Sequence, residues 1–323
     1  MSRREEIHRS IGRLLVAGMA MMAFVIASPS SQAREIQWVG CGISKLGFMR
    51  DLATAFEKKT GVKINLEGGG ATRGIRDVAA GRSQLGGSCR LPLVVPAEGG
   101  GTTIAEPERN VRMIPVGWDA LVVIAHQENR LVDEISREQL RKVLVGEITN
   151  WRELGAKEAR PIHLYVRKGT ISGVGLTLRQ QLFNNVDQPF AEGATRLKSS
   201  GKIEKAVERD PDALAVSGIS SSRHRQVRML KLDGLEPTLE NLKRGRYPLF
   251  RILFLVAPTD YRQDEDLADF VRFALSREGQ KIIEKAGTLP FIRGIGLLHK
   301  TSPEYIQTME LIDALDIYTL NGR

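Results

Sequence analysis

Short apolar runs and amphipathic stretches alternate along the first part of the chain. In one amphipathic stretch, Phe48, Leu52 and Phe56 are spaced to share one face of a helix. The predicted elements of this part are strands at 35–39, 62–66 and 84–86 and helices at 48–59 and 73–80. Strands that alternate with helices predict an α/β lobe with a largely parallel sheet.

The alternation continues after a passage rich in glycine and proline. Ser136 precedes an amphipathic stretch with Gln139 three residues later, which predicts a capped helix start, and Gly287 is placed to end the last of these helices. The predicted strands are 111–116, 120–125, 161–166, 214–219 and 249–256, and the predicted helices lie at 136–143, 176–182, 267–276 and 278–285. We expect the strand at 249–256 to return the chain to the first lobe.

The N-terminus has the pattern of a secretory signal. Arginines precede an apolar run over 14–27, which is too short to span a bilayer stably, and Ser31-Gln32-Ala33 offers small residues at the cleavage positions. The alternative is an uncleaved membrane anchor. We predict a signal peptide over 1–33 and a periplasmic mature protein from Arg34, whose length of roughly 290 residues suits two domains or a fold of two lobes.

Charge and composition narrow the ligand class without deciding it. The net charge of +9 falls to +7 without residues 1–33, which hold four arginines and two glutamates. The basic residues are dispersed, so a nucleic-acid partner is not predicted, whereas positive charge suits the capture of small anions. No activated nucleophile, acid–base pair or cofactor fingerprint is evident, and the five histidines lack metal-ligand spacing, so neither an enzyme, a cofactor nor a metal is predicted.

Four loops rich in glycine and small polar residues follow predicted strands and precede helices. They are residues 40–44, 68–74, 86–90 and 169–175. Ligands of open α/β sheets bind at the carboxyl ends of strands, and backbone N–H groups at such turns can hold an anion. The shared position of the four loops predicts an anion site.

The order of these motifs resembles the phosphate-binding proteins of phosphate ABC transporters over nearly the whole mature chain. The matching segments are GCGIS from Gly40, GGGATRGI from Gly68, GRSQLGGSCR from Gly81, WDALVVI from Trp118, LRKVLVGEITNWRELG from Leu140, DPDALAVSGIS from Asp210, DGLEPTLENLKRGRYPLFR from Asp233 and FALSREGQKIIEKAGTLP from Phe273. The resemblance implies a type II periplasmic binding protein, in which two α/β lobes joined by two crossover strands hold the ligand between them. It places lobe 1 at 34–118 plus 255–323 and lobe 2 at 119–254, and it implies a monomer.

The resemblance also implies the ligand-binding residues. They are Cys41, Gly42, Ile43, Ser44, Ala71, Thr72, Arg73, Cys89, Arg90, Arg167, Ser172 and Gly173. Cys41, Ala71 and Cys89 stand where the family has serine, or serine or aspartate, and Val174 replaces a threonine. A thiol is a weak hydrogen-bond donor, and each lost charge-assisted hydrogen bond costs about 1.5–3 kcal/mol. Tight phosphate binding is therefore not expected, but an oxyanion remains the leading ligand class.

The two cysteines have competing interpretations. Export to an oxidising compartment and neighbouring strand ends predict a Cys41–Cys89 disulfide. The alternatives are a thiol pair that binds a thiophilic species such as arsenite or copper(I), unpaired packing cysteines, or a redox-responsive site. The role we predict is capture of a small oxyanion by lobe closure, for the permease of an ABC transporter or, alternatively, for a sensor kinase.

Overall fold

Fourteen strands form most of the framework that the computed structural model describes, which covers residues 34–319. They are β1 (Glu35–Gly40), β2 (Lys63–Gly68), β3 (Leu85–Ser88), β4 (Val94–Pro96), β5 (Thr102–Ile104), β6 (Val111–His126), β7 (Glu134–Ile135), β8 (His163–Arg167), β9 (Thr195–Leu197), β10 (Ala213–Gly218), β11 (Val227–Met229), β12 (Lys231–Leu232), β13 (Phe250–Pro258) and β14 (Leu289–Pro290). The predicted signal peptide lies outside the described residues.

Helices follow most of the strands, as the sequence predicts. They are α1 (Gly42–Ser44), α2 (Arg50–Thr60), α3 (Ala71–Ala79), α4 (Arg137–Val145), α5 (Gly173–Leu178), α6 (Ser200–Val207), α7 (Ile219–Ser222), α8 (Leu239–Lys243), α9 (Glu265–Leu275), α10 (Arg277–Ala286), α11 (Pro303–Leu311) and α12 (Asp316–Thr319). A π-helical turn over Lys45–Met49 joins α1 to α2, and a second one, Arg179–Phe183, follows α5. None of the described helices is long and apolar enough to cross a membrane.

Two sequence-based predictions about helix ends are confirmed. Ser136 caps α4, since its hydroxyl accepts from the backbone N–H of Gln139 while the Gln139 side chain bonds back to Ser136. Gly287 ends α10 with a φ of 102°, a conformation that glycine adopts without a Cβ penalty.

The main sheet has the strand order β2-β1-β3-β13-β6-β10-β8-β9, and β11 and β14 also pair with β6. β1 is parallel to β2 and β3, and β8 is parallel to β9 and β10. β13 and β6 run antiparallel to each other and to their other neighbours in this order. The α/β architecture is as predicted, with two antiparallel strands in the middle of otherwise parallel groups.

β6 is one continuous strand where the sequence predicts two. Its first part pairs with β13 as far as Ala120, and its second part pairs with β10 from Leu121 onward. The segment between the two apolar runs, Gly117-Trp118-Asp119, remains in the strand because its polar groups are bonded within the protein. The indole N–H of Trp118 donates to Phe291 O at 2.9 Å, and the Asp119 carboxylate is paired with Arg251. The lobe boundaries that the sequence suggests stay a prediction.

Candidate functional site

The thiols of Cys41 and Cys89 lie together at the carboxyl ends of β1 and β3. Gly40 pairs with Gly87 across these parallel strands, and the Cys41 N–H donates to Gly87 O at 3.0 Å. Both side chains are buried, and both are free thiols that lie near enough to influence each other's ionisation. The predicted disulfide is therefore not formed in this structure: the strand ends are neighbours, as expected, but no bond joins the sulfurs.

Glycine allows this close approach of the two strand ends. A Cβ added at Gly87 would lie 2.2 Å from Cζ2 of Trp38, and one added at Gly40 would lie 2.4 Å from the same atom. The Trp38 indole thus lies against both strand ends, where any larger residue would clash. Trp38 is fully buried and is part of the core.

The surroundings of the thiols give them different pKa values. Burial opposes ionisation of Cys41, but the hydrogen bond from Cys89, the charge of Arg251 and hydrogen bonds from Ser44 outweigh it and lower the pKa of Cys41 to about 6. The hydrogen bond with Cys41, together with burial, raises the pKa of Cys89 well above its ordinary value. At neutral pH the pair therefore holds one proton and one negative charge.

Ser44 contacts the thiol of Cys41 at the start of α1. Its hydroxyl oxygen lies 3.2 Å from Cys41 Sγ, and its backbone N–H donates to the same sulfur at 3.3 Å. Cys41 thus serves as the N-cap of α1. Ile43, which precedes Ser44, is fully buried. A Cβ at Gly42 would lie 3.6 Å from the backbone nitrogen of Gly201, so Gly42 contributes only backbone to the start of α1.

Two arginines place positive charge beside the thiols. Arg251 on β13 pairs with Asp119 on β6, with Nη2–Oδ2 and Nε–Oδ2 distances of 3.0 and 3.3 Å. Arg167, at the end of β8, donates to Leu197 O at 3.1 Å, and burial lowers its pKa against the opposing effect of the thiols. Arg167 was identified from the sequence, whereas Arg251 was not.

The loop before α5 meets the first loops of the chain through hydrogen bonds. Ile171 O accepts from Arg90 Nε at 2.9 Å and from Thr72 Oγ1 at 3.1 Å. A Cβ at Gly173 would lie 2.3 Å from Cys89 Sγ and 3.3 Å from the Cβ of Ala71. Since Gly69 N–H also donates to Gly40 O at 2.9 Å, all four predicted ligand loops are in direct contact.

Ser172 and Ala71 complete the predicted set around these loops. The Ser172 hydroxyl accepts from the N–H of Gly175 at 3.3 Å and so caps α5. Ala71, the first residue of α3, is buried. Ala71 thus supplies no hydroxyl, whereas the Ser172 hydroxyl accepts from Gly175 and keeps its O–H donor.

Arg90 is engaged by a buried carboxylate. Its Nη1 and Nη2 donate to Glu108 at 2.8 and 2.7 Å, and Nη2 also reaches Thr72 Oγ1 at 3.1 Å. Burial opposes ionisation of Glu108, but hydrogen bonds from Arg90 and the charge of Arg90 dominate and lower its pKa. Arg90 therefore connects the first loops to Ile171 and is neutralised by Glu108.

Arg73 points to a different part of the surface. Its guanidinium is half exposed and pairs with Glu67 and, at 2.8 Å, with Asp77 one turn further along α3. The structure thus brings together Cys41, Cys89 and Arg167, holds Arg90 and Thr72 at the contact between loops, and leaves Arg73 on the outside.

One further group has metal-ligand atom types. His163, Asp210 and Asp212 have ligand atoms within 4.8 Å of one another. His163 Nδ1 lies 2.9 Å from Asp210, which also accepts from Tyr165 OH at 2.8 Å. Burial opposes ionisation of Asp210, yet hydrogen bonds from Tyr165 and its neighbours lower its pKa. These contacts account for the group as a hydrogen-bonded cluster on the protein surface.

An α/β sheet crossed by two long antiparallel strands, with glycine loops meeting at strand ends, is the architecture of a binding protein that holds a ligand between loops. A model of the PBP superfamily domain matches residues 29–278, and the chain belongs to this superfamily. The fold is that of type II periplasmic binding proteins, as predicted, and the likeness to phosphate-binding relatives seen in the motifs is confirmed.

The relatives found by sequence carry phosphate-binding names. The chain is 26 % identical over 195 residues to the phosphate-binding protein PstS of Borreliella burgdorferi, which covers 58 % of this chain and 68 % of that protein. It is 29 % identical over 205 residues to PstS of Bacillus subtilis, which covers 60 % of each chain, so this match spans less than two thirds of that relative.

Solved structures share the fold. A putative phosphate ABC transporter substrate-binding protein of Clostridium perfringens, with bound phosphate, superposes with a TM-score of 0.67 at 24 % identity and covers 80 % of this chain and 99 % of that chain. At this identity the likeness shows the fold alone.

Proposed function

We propose that this chain is a periplasmic solute-binding protein that captures a small oxyanion, phosphate or phosphate-like, by closure of two lobes and delivers it to an ABC-transporter permease. Membership of the superfamily and relatives named as phosphate-binding proteins support the role in ligand capture. The observation that carries the ligand class is the partly buried charge of Arg167 beside loops that meet at strand ends. The charges acting on Arg167 come from Cys89, Cys41 and Arg251, and none of these residues is a carboxylate.

Closure follows from the contacts between loops. Ile171 belongs to the predicted second lobe, and the residues that donate to its carbonyl, Thr72 and Arg90, belong to the predicted first lobe. β6 and β13 connect the two groups of strands, so rotation about them would separate Ile171 from its donors. An anion that enters the opened cleft would then be enclosed when these hydrogen bonds reform.

Calorimetric titration of purified, ligand-free protein with phosphate, arsenate and sulfate tests the ligand class. We expect at least one of these oxyanions to bind, and we expect Arg167→Gln to weaken binding about tenfold to a hundredfold through loss of a charge-assisted hydrogen bond. Arg137→Gln is the control, because Arg137 is half exposed and pairs with Asp233 at 2.5 Å, in a separate part of the fold. Absence of binding for all three anions would contradict the proposal.

The adjacent free thiols favour a second candidate, a thiophilic ligand such as arsenite or copper(I) held by Cys41 and Cys89. Soft thiolate ligands select such species, and the two cysteines directly follow the ends of the neighbouring strands β1 and β3. Arsenite or copper(I) should then bind wild-type protein under reducing conditions but not the Cys89→Ser variant. Equal binding of arsenite or copper(I) by the wild type and by Cys89→Ser would rule this candidate out.

The partner of the protein is a separate question. Co-purification with a permease or with a sensor kinase tests which of the two it is.

A further inference from the structure

Arg251 is a charged residue in the middle of an otherwise apolar strand. β13 reads FRILFLVAP, and the side chain of Arg251 is 1 % exposed. Phe254 pairs with Ser88, the last residue of β3. Because the two strands are antiparallel, Arg251 lies beyond the carboxyl end of β3, next to the segment that begins with Cys89. A buried arginine is rare unless it is paired or functional, and its register on β13 places this one at the candidate site.

Only one edge of the Arg251 guanidinium is satisfied. Nε and Nη2 both face Oδ2 of Asp119. Because the guanidinium is planar, Nη1 with its two N–H donors lies on the opposite edge. Nη1 is buried and has no hydrogen-bond partner among the described residues. An unmet buried donor of a charged group is costly, so this edge requires an acceptor.

The charges around Arg251 indicate what kind of acceptor fits. Cys89, Asp119 and Cys41 are the groups whose negative charge acts on Arg251, and Arg167 lies close enough to interact with it. With Cys41 ionised, its charge and that of Asp119 balance the two guanidinium groups; with both thiols protonated, one positive charge remains in excess. A small anion can balance that excess charge in place of the Cys41 thiolate.

Asp119 holds the guanidinium in place from the other crossing strand. It pairs with Arg251 in the sheet register, and its second oxygen, Oδ1, accepts from the N–H of Ser220 at 3.0 Å. Asp119 is completely buried, so both of its oxygens are bound within the protein. The direction of the free Nη1 edge is therefore fixed by the sheet and does not depend on a flexible loop.

We propose that Arg251 is a ligand-binding residue, whose Nη1 donates to an oxygen of the captured oxyanion while Asp119 positions the guanidinium. This inference rests on the proposed capture of an oxyanion and adds to it a contact from a crossing strand. The contact compensates for the hydroxyl donors that Cys41 and Cys89 do not supply, since a guanidinium N–H is a stronger donor to an anion than a thiol is. The ligand class that fits is a small oxyanion bound by two arginines.

The test is calorimetric titration of Arg251→Lys with phosphate and sulfate at fixed ionic strength. Lysine can keep the charge and the pairing with Asp119 but lacks the planar fork, so we expect the affinity to fall about tenfold to a hundredfold. Arg228→Lys is the matched control, because Arg228 is a part-buried arginine on β11 whose donors bind Asn129 O, Val132 O and Asp133. Its affinity should equal that of the wild type.

A second variant separates ligand binding from folding. In Asp119→Asn the amide oxygen can still accept from Ser220, but the amide NH2 then faces Nε and Nη2 of Arg251 and cannot hold the guanidinium, so oxyanion affinity should fall about tenfold. Wild-type affinity in folded Arg251→Lys, or an unchanged affinity in folded Asp119→Asn, would overturn the role of Arg251 and leave the proposed function intact. Failure of the wild-type protein to bind any oxyanion would overturn both.

Discussion

Cys41 is surrounded by groups that favour its thiolate form, although it lies in the core. The Cys89 thiol, the Ser44 N–H and the Arg251 charge act on the one sulfur and together outweigh its burial. A serine at this position would donate a hydrogen bond to an anion, whereas a thiolate repels it. The exchange of serine for cysteine therefore alters both the donor and the charge of the site.

A titration can measure this charge. We expect ultraviolet absorbance to show one thiolate forming as the pH rises through about 6, and Cys41→Ser to abolish it. In unfolded protein Cys41 keeps its proton up to about pH 8.5, so between these values the unfolded state binds more protons and the stability of the folded state rises with pH. Chemical unfolding over this window measures that rise, which Cys41→Ser should lose.

The Cys89 thiol affects the stability of the folded state only at higher pH. Its pKa in the folded state is raised, so Cys89 stabilises the fold below its unfolded pKa and loses that contribution as the pH rises further. Cys89→Ala removes the donor to Cys41 and should move the thiolate midpoint upward. A wild-type midpoint at or above that of a free thiol would contradict this account of the pair.

The sequence identified the pocket residues that follow strands but missed the one within a strand. Cys41, Cys89 and Arg167 each come directly after or at the end of an apolar run, so a strand-end rule finds them. Arg251 and Asp119 are separated by 132 positions, and their pairing depends on the register between β13 and β6. The signal available was a single charged residue in a buried strand, which predicts a buried partner without naming it.

At the scale of elements, glycines decide how closely β1 and β3 approach. Gly87 on β3 and Gly40 on β1 leave the space that Trp38 fills, and this contact sets the separation of the cysteines that follow. Gly68 ends β2 in the same sheet, and a Cβ there would meet nothing within 4 Å. The missing side chain of Gly87 thus makes room for Trp38, whereas a side chain at Gly68 would meet no neighbour.

We expect Gly87→Ala to destabilise the protein by about 1–3 kcal/mol, the usual cost of overpacking a core. The added methyl would lie 2.2 Å from Cζ2 of the fully buried Trp38. Gly68→Ala should have little effect or stabilise slightly, because alanine costs less backbone entropy than glycine. Urea unfolding of both variants measures the difference, and equal stabilities would show that the Trp38 contact does not limit the strand spacing.

Element types were predicted well where the pattern was local, and less well where partners decide. Helix α4 was predicted from its amphipathic pattern and from Ser136 and Gln139, since a capping box is a local interaction. β6 was predicted as two strands because Asp119 interrupts its apolar pattern, and a carboxylate stays inside a strand only when a distant arginine neutralises it. The α-helices α1, α6, α7, α8, α11 and α12 were not predicted.

At the scale of the whole molecule, the contact of the loop before α5 with the first loops determines whether the candidate site is open. Gly173 lies against Cys89 and Ala71, and Ile171 accepts from Thr72 and Arg90. These contacts join segments on opposite sides of the two long strands. Each is a single hydrogen bond or van der Waals contact. The free energy that they contribute together is therefore small enough for ligand binding to shift the balance between open and closed forms.

Gly173→Ala should favour the open form. The added Cβ would lie 2.3 Å from Cys89 Sγ, and the sulfur cannot move far because Cys41 and the end of β3 hold it. We therefore expect a larger radius of gyration by small-angle X-ray scattering, and a weaker oxyanion affinity because closure must be restored at the expense of binding energy. Cys89→Ala in the same chain removes the sulfur that clashes and should return the scattering profile to that of Cys89→Ala alone. Gly193→Ala, where a Cβ meets nothing within 4 Å, is the control; a scattering profile of Gly173→Ala equal to this control would mean that the contact with Cys89 does not govern closure.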